Sequence, residues 1–333
     1  MPAAGLDILA LGNAIVDVLS HTDERFLVDQ SLHKGTMALI DESRAESLYR
    51  AMGPAVIVSG GSAANTAVGA ASLGARTGFV GKVRDDELGR LFAHDLKAVG
   101  VAFDTRPAEA GPATARCFVL VTPDGERTMN TYLGACQDLG LDDVDPAQVA
   151  SARILYLEGY LWDPPAAKDA FRKAVRIAHE AGNKVALSLS DPFCVDRYRG
   201  EFRELVRDGS VDILFANAHE LKSLYETADE GTAIAALRGE GIVGVVTRSA
   251  EGALVVSRDR TEAVAASPVG TVVDTTGAGD LFAAGFLAGL ARGLDGRDCA
   301  RLGALAAAEV IGHLGARPQV NLADFARARG LLS

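Results

Sequence analysis

Apolar runs and amphipathic stretches alternate along most of this 333-residue chain. Continuous apolar runs, such as residues 8–11 and 213–216, are typical of strands that are covered on both faces, as in a parallel sheet. Residues 87–99 instead carry apolar side chains at helical spacing, which predicts a helix with one buried face. Strands that alternate with helices predict an α/β fold with a mainly parallel central sheet.

The alternation stops between residues 114 and 133. Two β-rich runs, 114–121 and 126–133, are joined by Pro123-Asp124-Gly125, which is a strong hairpin turn signal. We therefore predict a small antiparallel sheet that is joined by residues 36–40 and covers a ligand site as a lid. The predicted organisation is one domain, 1–333, with a discontinuous β lid inserted at approximately 14–20, 34–41 and 113–134.

A glycine turn at residues 275–280, Thr-Thr-Gly-Ala-Gly-Asp, opens an apolar helix pattern. The β-branched run 269–275 before it predicts a strand. The first N–H groups of a helix lack intrahelical partners, and the helix dipole favours an anion there. We infer that Gly277, Ala278 and Gly279 hold a phosphate while Asp280 accepts a proton from an acceptor hydroxyl. The alternative is a glycine-rich βα turn with no such role.

A second glycine turn, Gly-Gly-Ser-Ala-Ala-Asn at 60–65, follows a predicted buried strand at 55–59. Small residues there let a ligand lie on the backbone, and the Asn65 side chain offers both a donor and an acceptor. Close helix–sheet packing is the alternative. Asn13 and Asp17 come where the first apolar run, starting at Asp7, is expected to end, and ligands of open α/β sheets bind beyond strand ends. For Asp17 a turn or cap role is the alternative.

Composition and charge narrow the classes of molecule that the protein is expected to bind. The net charge of −11 argues against a general nucleic-acid or anionic-membrane surface, but not against a local anion site. The four cysteines are widely spaced and suggest neither a zinc site nor a disulfide framework. Residues 1–5 lack signal-peptide features, and no run of about 18 apolar residues predicts a membrane span. We expect a reduced cytoplasmic protein, either a monomer or a homodimer.

Three motifs follow one another along the chain: residues 60–65, Asn-Ala-His-Glu at 217–220, and residues 275–280. Their order and spacing resemble the ribokinase-like (PfkB) carbohydrate and nucleoside kinases over nearly the whole chain. The resemblance implies a three-layer α/β/α domain with a mainly parallel central sheet and a small β-sheet lid. It also implies transfer of the γ-phosphoryl group of ATP to a hydroxymethyl oxygen of a sugar or nucleoside.

The resemblance assigns roles around the phosphates. Asp280 would be the general base, and the N–H groups of Gly277, Ala278 and Gly279 would form the anion hole. Asn217 and Glu220 match the family's N-x-x-E, which organises Mg²⁺ near the phosphates. Because Mg²⁺ keeps several waters, we expect an indirect contact through water. A K⁺ ion bound by backbone carbonyls stays open, since sequence does not reveal carbonyl ligands.

The resemblance also indicates which residues would bind ATP. Thr247 and Gly252 match the family's T-x-G-x-x-G loop, in which Ser249 here replaces the first glycine. Residues 303–308 would line the adenine pocket of ATP.

For the acceptor, the resemblance assigns the sugar hydroxyls to Asn13 and Asp17. Gly60, Gly61 and Asn65 complete the same cradle. A carboxylate accepts hydrogen bonds from two neighbouring hydroxyls at once. Sugar and nucleoside kinases share these residues, so they do not choose between the two acceptors.

Residues 188–193, Ser-Leu-Ser-Asp-Pro-Phe, bear on that choice. The family's sugar kinases usually carry D-x-N-x-R here, whereas this stretch resembles the adenosine kinases, which set the phenylalanine against the base. Tyr160 falls where those enzymes carry another aromatic residue, and Ile15 adds an apolar surface. Flat apolar walls suit a nucleobase. We therefore predict phosphorylation of the adenosine 5′-hydroxyl to AMP, a purine-salvage step, with Phe193 and Tyr160 beside the base.

Several alternatives stay open. Phe193 and Tyr160 could simply pack under the lid. The acceptor could be ribose, fructose or a keto-deoxy sugar acid such as 2-keto-3-deoxygluconate, or the nucleosides inosine or guanosine. A non-catalytic binding protein is disfavoured by the intact residues 277–280, and a Rossmann dehydrogenase by the lack of G-x-G-x-x-G after the first strand.

Overall fold

Two β-sheets organise the chain in the computed structural model, which describes residues 5–333. The strands, in chain order, are β1 (Ile8–Leu11), β2 (Ile15–His21), β3 (Met37–Leu39), β4 (Val56–Gly60), β5 (Thr77–Val80), β6 (Ala115–Val121), β7 (Arg127–Tyr132), β8 (Ile154–Glu158), β9 (Lys184–Ser188), β10 (Ile213–Asn217), β11 (Val243–Thr247), β12 (Ala253–Val256) and β13 (Thr261–Val264). The helices are α1 (Glu24–Asp29), α2 (Glu42–Ala51), α3 (Ser62–Ser72), α4 (Glu87–Ala98), α5 (Pro146–Ser151), α6 (Pro165–Glu180), α7 (Pro192–Arg207), α8 (Ala218–Leu224), α9 (Glu230–Glu240), α10 (Ala278–Ala291), α11 (Gly296–Val310) and α12 (Leu322–Arg327).

The main sheet has eight strands in the order β13-β12-β11-β10-β9-β8-β1-β5. The six strands from β11 to β5 are parallel, and β12 pairs antiparallel with both of its neighbours. Both faces are buried: Ile8 and Ala10 belong to one hydrophobic core, and Leu9 and Leu11 to a second core on the opposite face. The predicted α/β class with a mainly parallel central sheet is therefore confirmed.

The second sheet has five strands in the order β3-β7-β6-β2-β4. It is mixed and not antiparallel as predicted, because β2 pairs parallel with β6 and β3 pairs parallel with β7. Its β6–β7 hairpin turns at Pro123-Asp124-Gly125, as the sequence predicts. One face packs Val18 and Phe118 against Leu27 of α1 and Leu48 of α2. The other face carries a separate small apolar cluster of Leu19, Cys117, Val119 and Val121. One sheet face is thus closed by helices, while the other remains available to face the main sheet.

Three strand predictions need correction. The apolar run that starts at Asp7 does not continue to Asp17 as one strand, because β1 ends at Leu11 and β2 begins at Ile15 in the other sheet. The predicted buried strand at 55–59 is instead the edge strand β4 of the second sheet, where Val56 is 63% exposed. Residues 269–275 form no strand: Val272 and Val273 are exposed, and the Val273 N–H donates to the carbonyl of Ile311.

Among the residues that the structure describes, no helix combines the length and apolar character needed to cross a bilayer.

Candidate active site

The carboxyl ends of the parallel strands gather the predicted residues at one edge of the main sheet. In register, Glu158 of β8 lies beside Ser188 of β9, and Asn217 of β10 lies beside Thr247 of β11. Asn13 follows β1, which pairs with β8. The second sheet adds Asp17, which lies within β2 and not at a strand end as the sequence suggested.

Asp280 lies in the first turn of α10 and is held by α3. Its Oδ1 accepts a hydrogen bond from Ser62 Oγ at 2.6 Å, and its Oδ2 accepts one from Asn65 Nδ2 at 3.0 Å. Thr66 Oγ1 donates to the Asp280 carbonyl at 3.2 Å. Burial raises the pKa of Asp280, while Ser62 and Asn65 oppose this by stabilising its charged form. The two glycine turns therefore meet at this carboxylate.

The turn before α10 needs its first glycine. Gly277 has φ 78°, and a Cβ there would lie 2.6 Å from the Cβ of Ala316. The Ala278 N–H donates to the Thr275 carbonyl at 3.2 Å. Within residues 5–333, the N–H groups of Gly277 and Gly279 have no backbone partner. Of the three predicted anion-hole donors, the N–H groups of Gly277 and Gly279 are thus unpaired in the described chain, whereas that of Ala278 is already bonded within the turn.

A salt bridge connects the second sheet to this turn. Arg127 of β7 pairs with Asp274 and donates to Thr276 Oγ1. Asp274 is 3% exposed and also accepts from the N–H groups of Thr276 (2.8 Å) and Gly315 (2.7 Å). Burial lowers the pKa of Arg127 to about 10. Neither residue was predicted, because their partnership spans 147 positions of sequence.

Asp17 points toward the second glycine turn. A Cβ at Gly60 would lie 2.1 Å from Asp17 Oδ2, so only glycine leaves room for the carboxylate. Burial raises the pKa of Asp17 to about 7; the neighbouring Arg317 and Arg127 lower it, and Asp280 raises it. The carboxylates of Asp17, from the second sheet, and Asp280, from α10, are therefore close enough to interact electrostatically.

Glu158 anchors the other side of the acceptor cradle. It is 2% exposed, and its Oε1 accepts from the Asn13 side chain at 2.9 Å and from the Asn13 N–H at 3.3 Å. Its Oε2 accepts from the Ala63 N–H at 2.8 Å. Burial raises the pKa of Glu158 to about 7. Gly61 has φ 91°, and a Cβ there would lie 2.3 Å from the Asn13 carbonyl oxygen. Glu158 was not predicted, although an acidic residue that ends an apolar strand is a signal for it.

The two aromatic candidates differ in burial. Phe193, in the first turn of α7, is 78% exposed, and its ring stacks on no other ring within the described chain. Tyr160 is mostly covered, with its N–H donating to Ser190 Oγ at 3.2 Å and its hydroxyl to the Ser190 carbonyl at 3.3 Å. Packing under the lid is therefore wrong for Phe193.

Asn217 and Glu220 form a closed capping pair at the start of α8. Glu220 accepts from the Asn217 N–H at 2.9 Å and from Asn217 Nδ2 at 2.5 Å, while Asn217 Oδ1 accepts from the N–H groups of His219 and Glu220. Burial, with a contribution from nearby Asp191, raises the pKa of Glu220 to about 7. A cation beside this carboxylate would offset both effects.

The predicted nucleotide loop has two left-handed residues. Ser249 has φ 52°, a backbone conformation that glycine adopts more readily than serine. Gly252 has φ 86°, and a Cβ would lie 2.0 Å from the Val264 carbonyl oxygen. Nearby, Leu305 and Ala308 of α11 line a cavity of about 370 Å³ together with residues 263–268.

Residues 38–322 match the pfkB family carbohydrate kinase model. The chain belongs to this family. Over 98% of its length it is similar to all of the adenosine kinase structure from Sinorhizobium meliloti, with 54% identity and a TM-score of 0.93. A probable sugar kinase from Rhizobium etli CFN 42 is 50% identical over 99% of this chain and 100% of that one, with a TM-score of 0.94. The 5-dehydro-2-deoxygluconokinase of Shouchella clausii is 28% identical over 92% of this chain and 89% of its own.

The chain is therefore a pfkB-family kinase of a sugar or nucleoside, a phosphotransferase of a family that uses ATP as phosphoryl donor. The arrangement provides a carboxylate at a helix N-terminus, unpaired N–H groups beside it and a second carboxylate facing it. These are the parts that proton abstraction, charge stabilisation and hydroxyl binding require.

Proposed function

We propose that this kinase phosphorylates the 5′-hydroxyl of adenosine, with ATP as donor, to give AMP and ADP. The exposed ring of Phe193 is the observation that carries the proposal. The Phe193 ring is 78% exposed, so a ligand can reach its face, and a flat ring suits a nucleobase. The similarity to the Sinorhizobium adenosine kinase supports the same acceptor.

In this proposal the ribose lies between Asp17 and the second glycine turn. Asp17 accepts from the two vicinal hydroxyls, and Gly60 leaves the space its carboxylate needs. Asn13, Gly61 and Asn65 complete the cradle, with Asn13 oriented by Glu158. The adenine extends toward Phe193, with Tyr160 as the fixed second wall.

Asp280 then takes the proton of the 5′-hydroxyl as its oxygen attacks the γ-phosphorus. The bond from that phosphorus to the β–γ bridging oxygen breaks, and ADP leaves with the electron pair. Negative charge on the transferred group is stabilised by the N–H groups of Gly277 and Gly279 and by the helix dipole. Ser62 and Asn65 fix the orientation of the base without neutralising it.

The residues at 217–220 fit a magnesium ion bound through water. Both Glu220 oxygens already accept from Asn217, and Asp191 adds a second negative group. Across residues 5–333, no group of three or more His, Cys, Asp or Glu could hold a metal by itself, so Mg²⁺ would have few protein ligands here. When bound, Mg²⁺ supplies charge neutralisation to the ATP phosphates. Thr247 and Gly252 would position the nucleotide. We also propose that activity depends on K⁺, which is tested by measuring activity after exchanging K⁺ for a larger cation.

A free sugar is the second candidate acceptor. The Rhizobium and Shouchella relatives are both described as sugar kinases, and the Asp17 cradle would also hold a sugar. Inosine and guanosine belong to the same test.

The test is a substrate panel of adenosine, inosine, guanosine, ribose, fructose and 2-keto-3-deoxygluconate with Mg-ATP, read as kcat/KM. Adenosine should give the largest value. Robust turnover of a free sugar without turnover of adenosine would refute the nucleoside proposal and leave the kinase assignment intact.

A further inference from the structure

The segment after α11 contacts both glycine turns of the site. The Gly315 N–H donates to Asp274 at 2.7 Å, and Ala316 fills the space that a side chain at Gly277 would need. Arg317 reaches the other turn. None of these three consecutive residues belongs to the motifs at 60–65, 217–220 or 275–280.

Arg317 brackets the Gly60–Gly61 turn from both ends. Its Nε donates to the Ser59 carbonyl at 3.1 Å, and its Nη2 donates to Ser59 Oγ at 3.3 Å. Its Nη1 donates to the Ala64 carbonyl at 3.1 Å, on the helical side of the turn. The Ser59 N–H is held by Asp95 at 3.1 Å, so this residue is fixed on both sides.

The guanidinium also lies beside the two functional carboxylates. Arg317 lowers the pKa of Asp17 and of Asp280. Burial lowers the pKa of Arg317 to about 10, while Asp17, Asp280 and Asp95 favour its charged form. The groups that face the carboxylate pair from the surrounding elements are Cys117 and Arg127 of the second sheet, Tyr156, Glu158 and Tyr160 at the end of β8, Asp95 of α4, and Arg317. Arg317 and Arg127 are the cations in that set, and Arg127 is paired with Asp274.

We propose that Arg317 is a positioning residue with two linked roles: it fixes the second glycine turn, and it supplies the positive charge that keeps Asp17 and Asp280 ionised together. The proposal rests on the proposed function in one respect, the use of Asp17 for the acceptor and of Asp280 as base. Burial and the neighbouring Asp280 oppose the ionisation of Asp17, and a fixed cation reduces that opposition.

The test compares R317Q, R317M and R317K with wild type in the dependence of kcat/KM for the acceptor on pH. In wild type, kcat/KM should fall on the acidic side with the pKa of Asp17, about 7. In R317Q and R317M the midpoint of this acidic limb should lie about one pH unit higher. Activity at neutral pH then falls about fivefold beyond any pH-independent loss, and it recovers at alkaline pH. The KM for ATP should change less than about twofold, because Arg317 contacts acceptor-side groups.

Arg292 is the matched control. It lies at the other end of α10 and donates to the carbonyls of Leu73 and Ala288, far from Asp280. R292Q should lower the unfolding temperature and leave the acidic limb in place. If R317Q and R317M fold but lose activity equally at every pH, Arg317 is only a structural clamp and the proposal is wrong.

R317K keeps the proposal testable where the neutral variants do not fold. Lysine retains the charge but cannot donate to Ser59 and Ala64 in the same geometry. Its acidic limb should stay near that of wild type while kcat falls, and a limb that moves would overturn the charge role. The assay uses whichever acceptor the wild-type enzyme phosphorylates best, so failure of adenosine as substrate does not affect the comparison.

Discussion

Gly60→Ala tests the acceptor cradle through a single methyl group. Gly60 does not use the left-handed backbone region, so alanine can adopt its conformation without strain. The new Cβ would nevertheless lie 2.1 Å from Asp17 Oδ2 and 2.7 Å from Oδ1. Because real Cβ contacts stay above 3.0 Å, the carboxylate must recede by about 1 Å. The backbone of Asp17 is fixed by its pairing with Val58, so the side chain has to rotate away.

The expected loss follows from the hydrogen bonds that the Asp17 carboxylate would make to the acceptor in the proposed complex. Two charged hydrogen bonds to vicinal hydroxyls are worth roughly 1.5–3 kcal/mol each. Losing both lowers kcat/KM for the acceptor by about 10² to 10⁴, at one decade per 1.36 kcal/mol. Steady-state assays should show this loss with little change in the KM for ATP.

The control is Gly239→Ala, at a helical position where no atom lies within 4 Å of the new Cβ. It should retain full activity. The double variant G60A/D17N should be little worse than either single variant, because both remove the same interaction. A folded G60A enzyme within about threefold of wild-type kcat/KM would refute the placement of the acceptor against Asp17.

Three further changes address other parts of the site. Asp280→Asn should lower kcat by about 10² to 10⁴ with normal folding, and near-normal turnover would exclude it as the base. Phe193→Ala should raise KM for adenosine about ten- to a hundredfold, barely change stability since the ring is exposed, and leave ribose unaffected; equal effects on both acceptors would contradict stacking. Glu158 has its pKa raised from 4.5 to about 7, so the stabilisation by its protonated form is complete below about pH 4.5 and is lost as pH rises through 7. Relative to E158Q, wild type should therefore lose up to about 3 kcal/mol of unfolding free energy in urea titrations from acidic to alkaline pH, and a constant difference would contradict the burial argument.

The parts of the site that sequence predicts best are those whose geometry is local. Gly277 and Asp280 lie within one turn, and Asn217 and Glu220 form a capping pair over one helix start. In such cases the spacing of residue types nearly determines the arrangement.

The parts that sequence missed depend on distant partners. Glu158 is joined to Asn13 across 145 positions, and Arg317 to Ser59 across 258. Strand β4 is predicted as buried but lies at the edge of the second sheet, because its apolar residues do not reveal which strand they pair with. The β-branched run at 269–275 illustrates the converse: strand propensity is not expressed where no partner strand is available.

These distant contacts share one consequence for the mechanism. Asp17 comes from the second sheet and Asp280 from a helix on the main sheet, so in the proposed mechanism acceptor binding and proton abstraction use both sheets at once. Arg127 ties the second sheet to the turn that precedes Asp280, through Asp274 and Thr276. The same turn supplies the unpaired N–H groups of the anion hole. In the proposed mechanism this tie would hold the hydroxyl ligand, the base and the phosphoryl site in register.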